Sequence, residues 1–353
     1  MKHLLLALLV AVPTLSHAQI FSIRRTTSTG NALVDAAFDS ELLKVQNEIN
    51  SDLPAGNTDR LMEGMANSQA AAGKGASTDY ISHFDTFMVG AGVGVGADLE
   101  ENKEYDSDLA GIGVMGSVQV GLNMSAIFDN KVLGLDPKKT TVVANFFSYS
   151  ADQDFDESNA KIKMMSFGVH GSYKWKEGSG NRLFGWDGVR IHTGYQYSSA
   201  NYDFKTQIDE TINETTSVGT ISGNINANPA ASIDASTHSI PLEISSGVNF
   251  LWVLSAYGGL GTDLNFGSAE GKANLNSDTT TVTCSGAPAC GTPQNAQVET
   301  AANVDGNGSV NPFFLRGFVG LQANLPYVRV FVHANKVFGT ELYSFATGLR
   351  LAF

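Results

Sequence analysis

From Phe84 to the last residue, apolar side chains return at every second position in run after run, and this period narrows the choice of fold more than any other feature. In the first run Phe87, Val89, Ala91, Val93, Val95, Ala97 and Leu99 alternate with Met88, Gly90, Gly92, Gly94, Gly96 and Asp98. The second sets Ile112, Val114, Gly116, Val118, Val120 and Leu122 against Gly113, Met115, Ser117, Gln119 and Gly121. A period of two belongs to a β-strand with two unlike faces. The runs exceed the roughly five or six residues of a typical soluble strand. They match the ~9–11 residues a strand needs to cross a bilayer. Ten such segments can be read, near 84–99, 109–123, 139–150, 161–175, 188–205, 238–251, 253–273, 312–325, 327–339 and 342–353. Charged residues are only 16% of the chain and glycines number 37 among 353 residues, which suits alternating lipid-facing and lumen-facing positions. Beyond the N-terminus there is no apolar run of the ~18 residues that mark a membrane helix. The expectation is an all-β fold: an antiparallel transmembrane β-barrel of roughly ten strands, eight to twelve being compatible with the spacing, with a short helical N-terminal segment.

The first residues read as an address. Lys2 supplies the positive start, Leu4 to Val12 a short apolar run, and Ser16-His17-Ala18 the small residues before a cut. The expected division is therefore a signal peptide over 1–18, a helical segment over 19–83 and a barrel over 84–353. Within the segment Val34, Phe38, Leu42, Val45 and Ile49 recur at helical spacing, with Asn31 as a plausible cap and Pro54 and Gly56 as the stop. A second short helix spans Arg60 to Ala72, broken by Gly73 and Gly75. Two readings stand: a plug in the barrel lumen, or a periplasmic tail. As a plug, the 32–49 helix would lie against a wall made smooth by Gly90, Gly92, Gly94, Gly96, Gly111 and Gly113, because glycine in a strand permits close backbone approach; these glycines would equally serve the curvature of a small barrel.

If both termini lie in the periplasm, long connections must follow odd-numbered strands. The polar connections 206–237 and 274–311 do, while 250–252 and 325–327 are very short. Cys284 and Cys290 sit in the second long connection, and in an oxidising compartment they are candidates for a small loop disulfide.

The final strand places Tyr343, Phe345, Thr347, Leu349, Leu351 and Phe353 on one face, ending on the aromatic. This resembles the C-terminal assembly signal of Gram-negative outer-membrane β-barrel proteins. The resemblance implies residence in the cell outer membrane after signal cleavage near Ala18. It also implies insertion by the outer-membrane assembly machinery, and contact with outer-membrane lipid and lipopolysaccharide.

Extending the alternation places Arg190, His192, Glu243, Asp263, Arg316, Arg329, His333 and Arg350 on the lumen face, with His170 and Lys174 on a neighbouring strand. On the lipid face each charge would cost about 2–4 kcal/mol near the midplane. Two roles fit the arginines. One is an anion-selective constriction. The other is a structural network in which Glu243, Asp263 and Asp98 neutralise them. Tyr149, Tyr173, Trp175, Trp186, Tyr195, Tyr197, Trp252, Tyr327 and Tyr343 lie near strand ends, as in the aromatic girdles of a membrane barrel.

No GxSxG, HExxH or Walker loop is present, and no histidine pair has metal-ligand spacing, so no enzyme, cofactor or metal site is expected. Asp152, Asp154 and Asp156 resemble a calcium loop only faintly, since Glu157 and Lys163 replace its glycine and final glutamate. A net charge of −13 argues against a nucleic-acid partner. Three functions are compatible with the sequence. The first is a small porin-like channel for passive or gated passage of solutes. The second is a structural or surface-interaction barrel with polar exterior loops. The third is a hydrophobic-compound transporter with an N-terminal hatch.

Overall fold

In the computed structural model the alternating runs become antiparallel strands in a closed ring. The description covers residues 22–28, 58–81, 84–99, 111–155, 158–181, 183–216, 219–251, 253–277, 280–285 and 294–353, with residues 32, 35, 36, 39, 40 and 43. For 22–24, 208–227 and 275–304 it concerns the backbone alone. The elements in chain order are β1 (Ser22–Arg25), α1 (Thr58–Ala72), β2 (Phe87–Asp98), β3 (Gly111–Asn123), β4 (Thr140–Phe155), β5 (Ser158–Gly180), β6 (Phe184–Thr206), β7 (Ile208–Thr216), β8 (Gly219–Phe250), β9 (Leu254–Ser277), β10 (Thr280–Ser285), β11 (Gln294–Ser309), β12 (Phe313–Asn324), β13 (Val328–Val337) and β14 (Leu342–Ala352).

Each wall strand pairs with the next, and β14 closes on β2 from Leu342↔Asp98 to Ala352↔Met88. The lower half of β9 pairs with β12 and its upper half with β11, so the ring counts eleven strands on ten paths. Those paths coincide with the ten segments legible in the sequence. Outward positions such as Val93, Val118, Leu242, Leu260, Val319 and Phe345 are exposed, while their strand neighbours face a buried interior. Pro241 sits within β8, and the β6 ladder skips from Thr193↔Leu242 to Gln196↔Ser239 around it. The missing N–H of proline cannot serve that rung.

One end of the ring holds the short turns at residues 181–183, 251–253 and 325–327, the 124–139 connection and the C-terminus. Past the other end the sheet continues as an arm. The connections 206–237 and 274–311, read above as polar loops, are largely strand. β7 carries on the register of β6 against β8, with Lys205↔Ala230 followed by Ile208↔Ala227. β10 extends the path of β9 between β8 and β11. β1 adds to β11 at Ser22↔Ala301. These strands carry no apolar alternation. Cross-strand backbone bonds and β-favouring threonines suffice. β8 is 32 residues long, about three times the length a membrane crossing requires.

Candidate functional site

The wall encloses a lumen, and among the described residues 58–81 and Phe84 of the chain itself lie within it. α1 is rich in Ala, Gly, Ser and Met and is buried on nearly every side. Small side chains let its backbone lie directly on the wall, and the wall answers with glycine. A Cβ at Gly94 would sit 2.0 Å from the Ala72 carbonyl oxygen, one at Gly96 2.1 Å from that of Ser68, and one at Gly113 2.4 Å from the Gln69 nitrogen. No larger residue fits at these positions. Ser68 Oγ donates to the Gly111 carbonyl at 2.9 Å, and the Asn311 N–H donates to Asn67 Oδ1 at 2.8 Å. Leu61, Met62, Ala66 and Ala70 pack against Ala269, Phe314, Val337 and Leu342 from several wall strands. The glycine wall therefore receives a helix, but that helix is 58–72. The stripe residues Val34, Phe38, Leu42, Val45 and Ile49 lie outside the described residues.

Beyond α1 the chain turns at Gly75, whose φ is +83° and whose added Cβ would lie 2.1 Å from the His333 ring. Gly75→Ala is expected to destabilise the protein by about 1–3 kcal/mol, since it meets both a left-handed backbone and a ring. Urea unfolding in vesicles measures this, and an unchanged midpoint would refute it.

Two ionic ties fix this stretch. Lys74 Nζ lies 3.2 Å from Asp263 Oδ1 and also donates to Ser239. Arg350 donates to the Thr78 carbonyl at 2.7 Å and pairs with Asp79 at 3.4 Å, its guanidinium 3.9 Å above the Phe331 ring. Between the ties, Tyr80 is enclosed by His192, Tyr257, Phe318 and His333, with ring centroids 4.7–5.4 Å away.

The sequence-predicted lumen residues come together as follows. Arg316 is fully buried. It donates to Asp263 at 2.8 Å and to Asn335 at 2.7 Å, and it pairs with Glu243. Lys74, Arg316, Asp263 and Glu243 therefore form a group of two cations and two anions. His333 shares Asn335 at 3.1 Å, and His192 bonds Ser245 at 2.8 Å. Arg190 pairs with Asp187 at 3.3 Å. His170 bonds Gln196 at 3.0 Å. Arg329 is half-buried opposite Arg350 in the β13–β14 register. Asp98, assigned above to the wall arginines, pairs instead with Arg60 of α1 at 3.2 Å. Each of Arg316, Arg350 and Arg190 faces a carboxylate. Lys74, Asp79 and Tyr80 were missed by sequence reasoning. They belong to a short stretch without periodicity, and only the descent through the lumen gives them partners.

Other predicted features fall outside the lumen. Phe345, Leu349 and Phe353 face outward, and Phe353 stacks between Phe87 at 4.7 Å and Tyr327 at 5.9 Å on the short-turn rim. Leu351 is half-buried opposite Val89 and Val328. Tyr343 bonds Lys336 and Glu341, and Lys336 holds the exposed Glu341 carboxyl below its usual range, with help from the tyrosine hydroxyl. Asp152 and Asp154 accept from Asn159 at 2.8 and 2.6 Å, so the hairpin itself occupies them. Among the described residues no group of three or more His, Cys, Asp or Glu is arranged for a metal. Cys290, Trp252 and the Cys284 side chain lie outside the described residues. A cavity of about 650 Å³ opens between β4, β5, β6, β8 and β9, lined by Tyr149, Lys163, Met164, Asn201 and Asp234 among others.

Comparison with solved structures returns membrane barrels at low identity. The translocator domain of the autotransporter NalP from Neisseria meningitidis aligns with 93% of this chain and 100% of its own, at 12% identity and a TM-score of 0.29. The transport unit of the autotransporter AIDA-I from Escherichia coli aligns with 78% and 93%, at 10% identity and a TM-score of 0.33. Ail, the attachment invasion locus protein of Yersinia pestis, aligns with 77% and 100%, at 11% identity and a TM-score of 0.24. No curated protein matches the chain. A family profile does, over residues 16–353, and the chain belongs to the Lsa36-like family.

Proposed function

We propose that this protein is an outer-membrane barrel that works through its exterior surface, as a structural or surface-interaction protein, with its lumen closed by its own plug. The observation that carries this reading is the filled lumen beneath a sheet that continues far past the rim. Short turns of outer-membrane barrels face the periplasm and long connections face outward, which puts the arm outside. The exposed apolar belt meets lipid, and the arm lies at the level of lipopolysaccharide. Segments 206–237 and 274–311 carry Asp209, Glu210, Glu214, Asp234, Asp278, Glu299 and Asp305 but no Lys or Arg. Their partners are therefore basic surfaces, attracted in a salt-dependent way.

The test compares zwitterionic vesicles holding the full protein with vesicles holding a variant whose arm hairpins are cut back to the rim. Binding to an immobilised lysine-rich polypeptide is expected to fall about tenfold or more in the variant and to weaken with salt in the full protein. Equal binding by both would refute the surface reading. Gated passage is the second reading. It is favoured by the plug being held by discrete ion pairs rather than by strand pairing, and it requires the plug to leave.

A further inference from the structure

The direction in which residues 58–84 run through the lumen has a consequence for the N-terminus. Contacts with β2 and β3 mark the depth of each plug residue. Near the arm end, Arg60 meets Asp98 and Gly64 meets Gly111. Deeper, Ser68 meets Gly96, Gln69 meets Gly113 and Ala72 meets Gly94. Then Ala76 meets Gly92 and Gln119, and Phe84 meets Gly121 and Asn123 at the short-turn end. The descent is monotonic on both strands. The plug is therefore entered from the arm end and left at the short-turn end, where β2 begins.

What precedes the plug lies at the arm end too. Asp59 accepts from the Asn307 N–H at 2.9 Å. β1 pairs with Val298–Ala301 of β11, from the last rung that β11 makes with β9, at Ala301↔Asn276, outward along the arm. Arg25 of β1 holds Asp35 and Asp39, each at 3.1 Å. Residues 22–25, 35 and 39 are thus tied to the arm, on the opposite side of the barrel from the C-terminus.

We propose that the chain exports part of its own N-terminal segment: the residues tied to the arm ahead of α1, Ser22–Arg25 with Asp35 and Asp39, pass through the barrel's lumen and are displayed on the outer face. The proposal rests on the outward orientation of the arm argued above. An exposed N-terminal segment joined to a periplasmic C-terminus means the polypeptide crosses the membrane once more than its wall strands do. That additional crossing is made by 58–84 inside the pore.

The test uses the full chain in cells, in a Cys284→Ser/Cys290→Ser background, with a membrane-impermeant maleimide. Ala36→Cys reports the N-terminal segment, Gln153→Cys the exposed tip of β4 at the arm end, and Lys131→Cys the connection at the short-turn end. The expected result is labelling of Ala36→Cys and Gln153→Cys on intact cells, and of Lys131→Cys only after permeabilisation. If Gln153→Cys labels on intact cells while Ala36→Cys requires permeabilisation, the display proposal is overturned and the orientation stands. If Gln153→Cys also requires permeabilisation, the orientation fails and takes the proposal with it. Should Ala36→Cys react in neither state, an epitope tag placed after the signal decides. Antibody binding to intact cells supports display, and binding only after permeabilisation overturns it.

Discussion

Planar bilayers holding the full-length protein are expected to stay silent, and deletion of residues 58–81 to bring large, steady conductance steps. The wall pairings that close the ring involve none of the deleted residues, so the barrel remains intact. A ring of about ten strands is slightly wider than side chains alone can fill, and removing a whole helix leaves a water-filled path. Lys74 and Asp79 leave with the plug, and water then solvates Asp263 and Arg350, which their loss exposes. Gly96→Val offers a milder version. Its added carbons collide with the Ser68 carbonyl of α1, so the plug seats poorly and flickering current is expected. A folded deletion variant, verified by heat-modifiable mobility, that conducts no better than the full protein would mean that the plug is not what closes the lumen.

Arg316→Met is expected to cost about 3–5 kcal/mol of stability, the usual penalty for stranding buried charge. The guanidinium serves Asp263, Glu243 and Asn335 together. Once it is gone, two buried carboxylates share Lys74 alone. Neutralising the whole group, in Lys74→Met/Arg316→Met/Glu243→Gln/Asp263→Asn, is expected to recover much of the loss, because a half-satisfied network is worse than an uncharged one. Urea midpoints of the protein in vesicles measure both variants. A shift under about 1 kcal/mol for Arg316→Met would show that the group contributes little to stability.

The wall was legible because lipid and lumen impose opposite demands on successive residues. Val93 and Gly94, or Leu315 and Arg316, declare their faces by chemistry alone. The glycine wall was legible for the same reason: six glycines on one face of two adjoining strands imply something pressed against them. The helix seen against them is α1, while the stripe from Val34 to Ile49 lies outside the described residues. The 3.6 period of Val34 to Ile49 is the mark of a helix with one apolar face, whereas a helix enclosed on all sides needs no such stripe. α1 announces itself instead by small residues, Ala66, Ser68, Ala70, Ala71 and Ala72, which suit close backbone contact. The arm was hidden for a related reason. A segment rich in Thr, Asn and Ser satisfies a strand as well as a loop. The ion pairs of Lys74 and Asp79 were beyond reach, because they join residues whose proximity depends on the direction of threading.

The 32-residue β8 runs unbroken from the arm into the wall, bonded on one side to β6 and β7 and on the other to β9 and β10. At about 3.3 Å per residue it spans roughly 100 Å. A load applied to the arm's tip along this axis would not peel rungs one by one. It would place the whole ladder in shear and pass the force into a ring anchored by lipid. If the arm binds another surface as proposed, the load reaches the ring through the full length of the ladder rather than through its last rung.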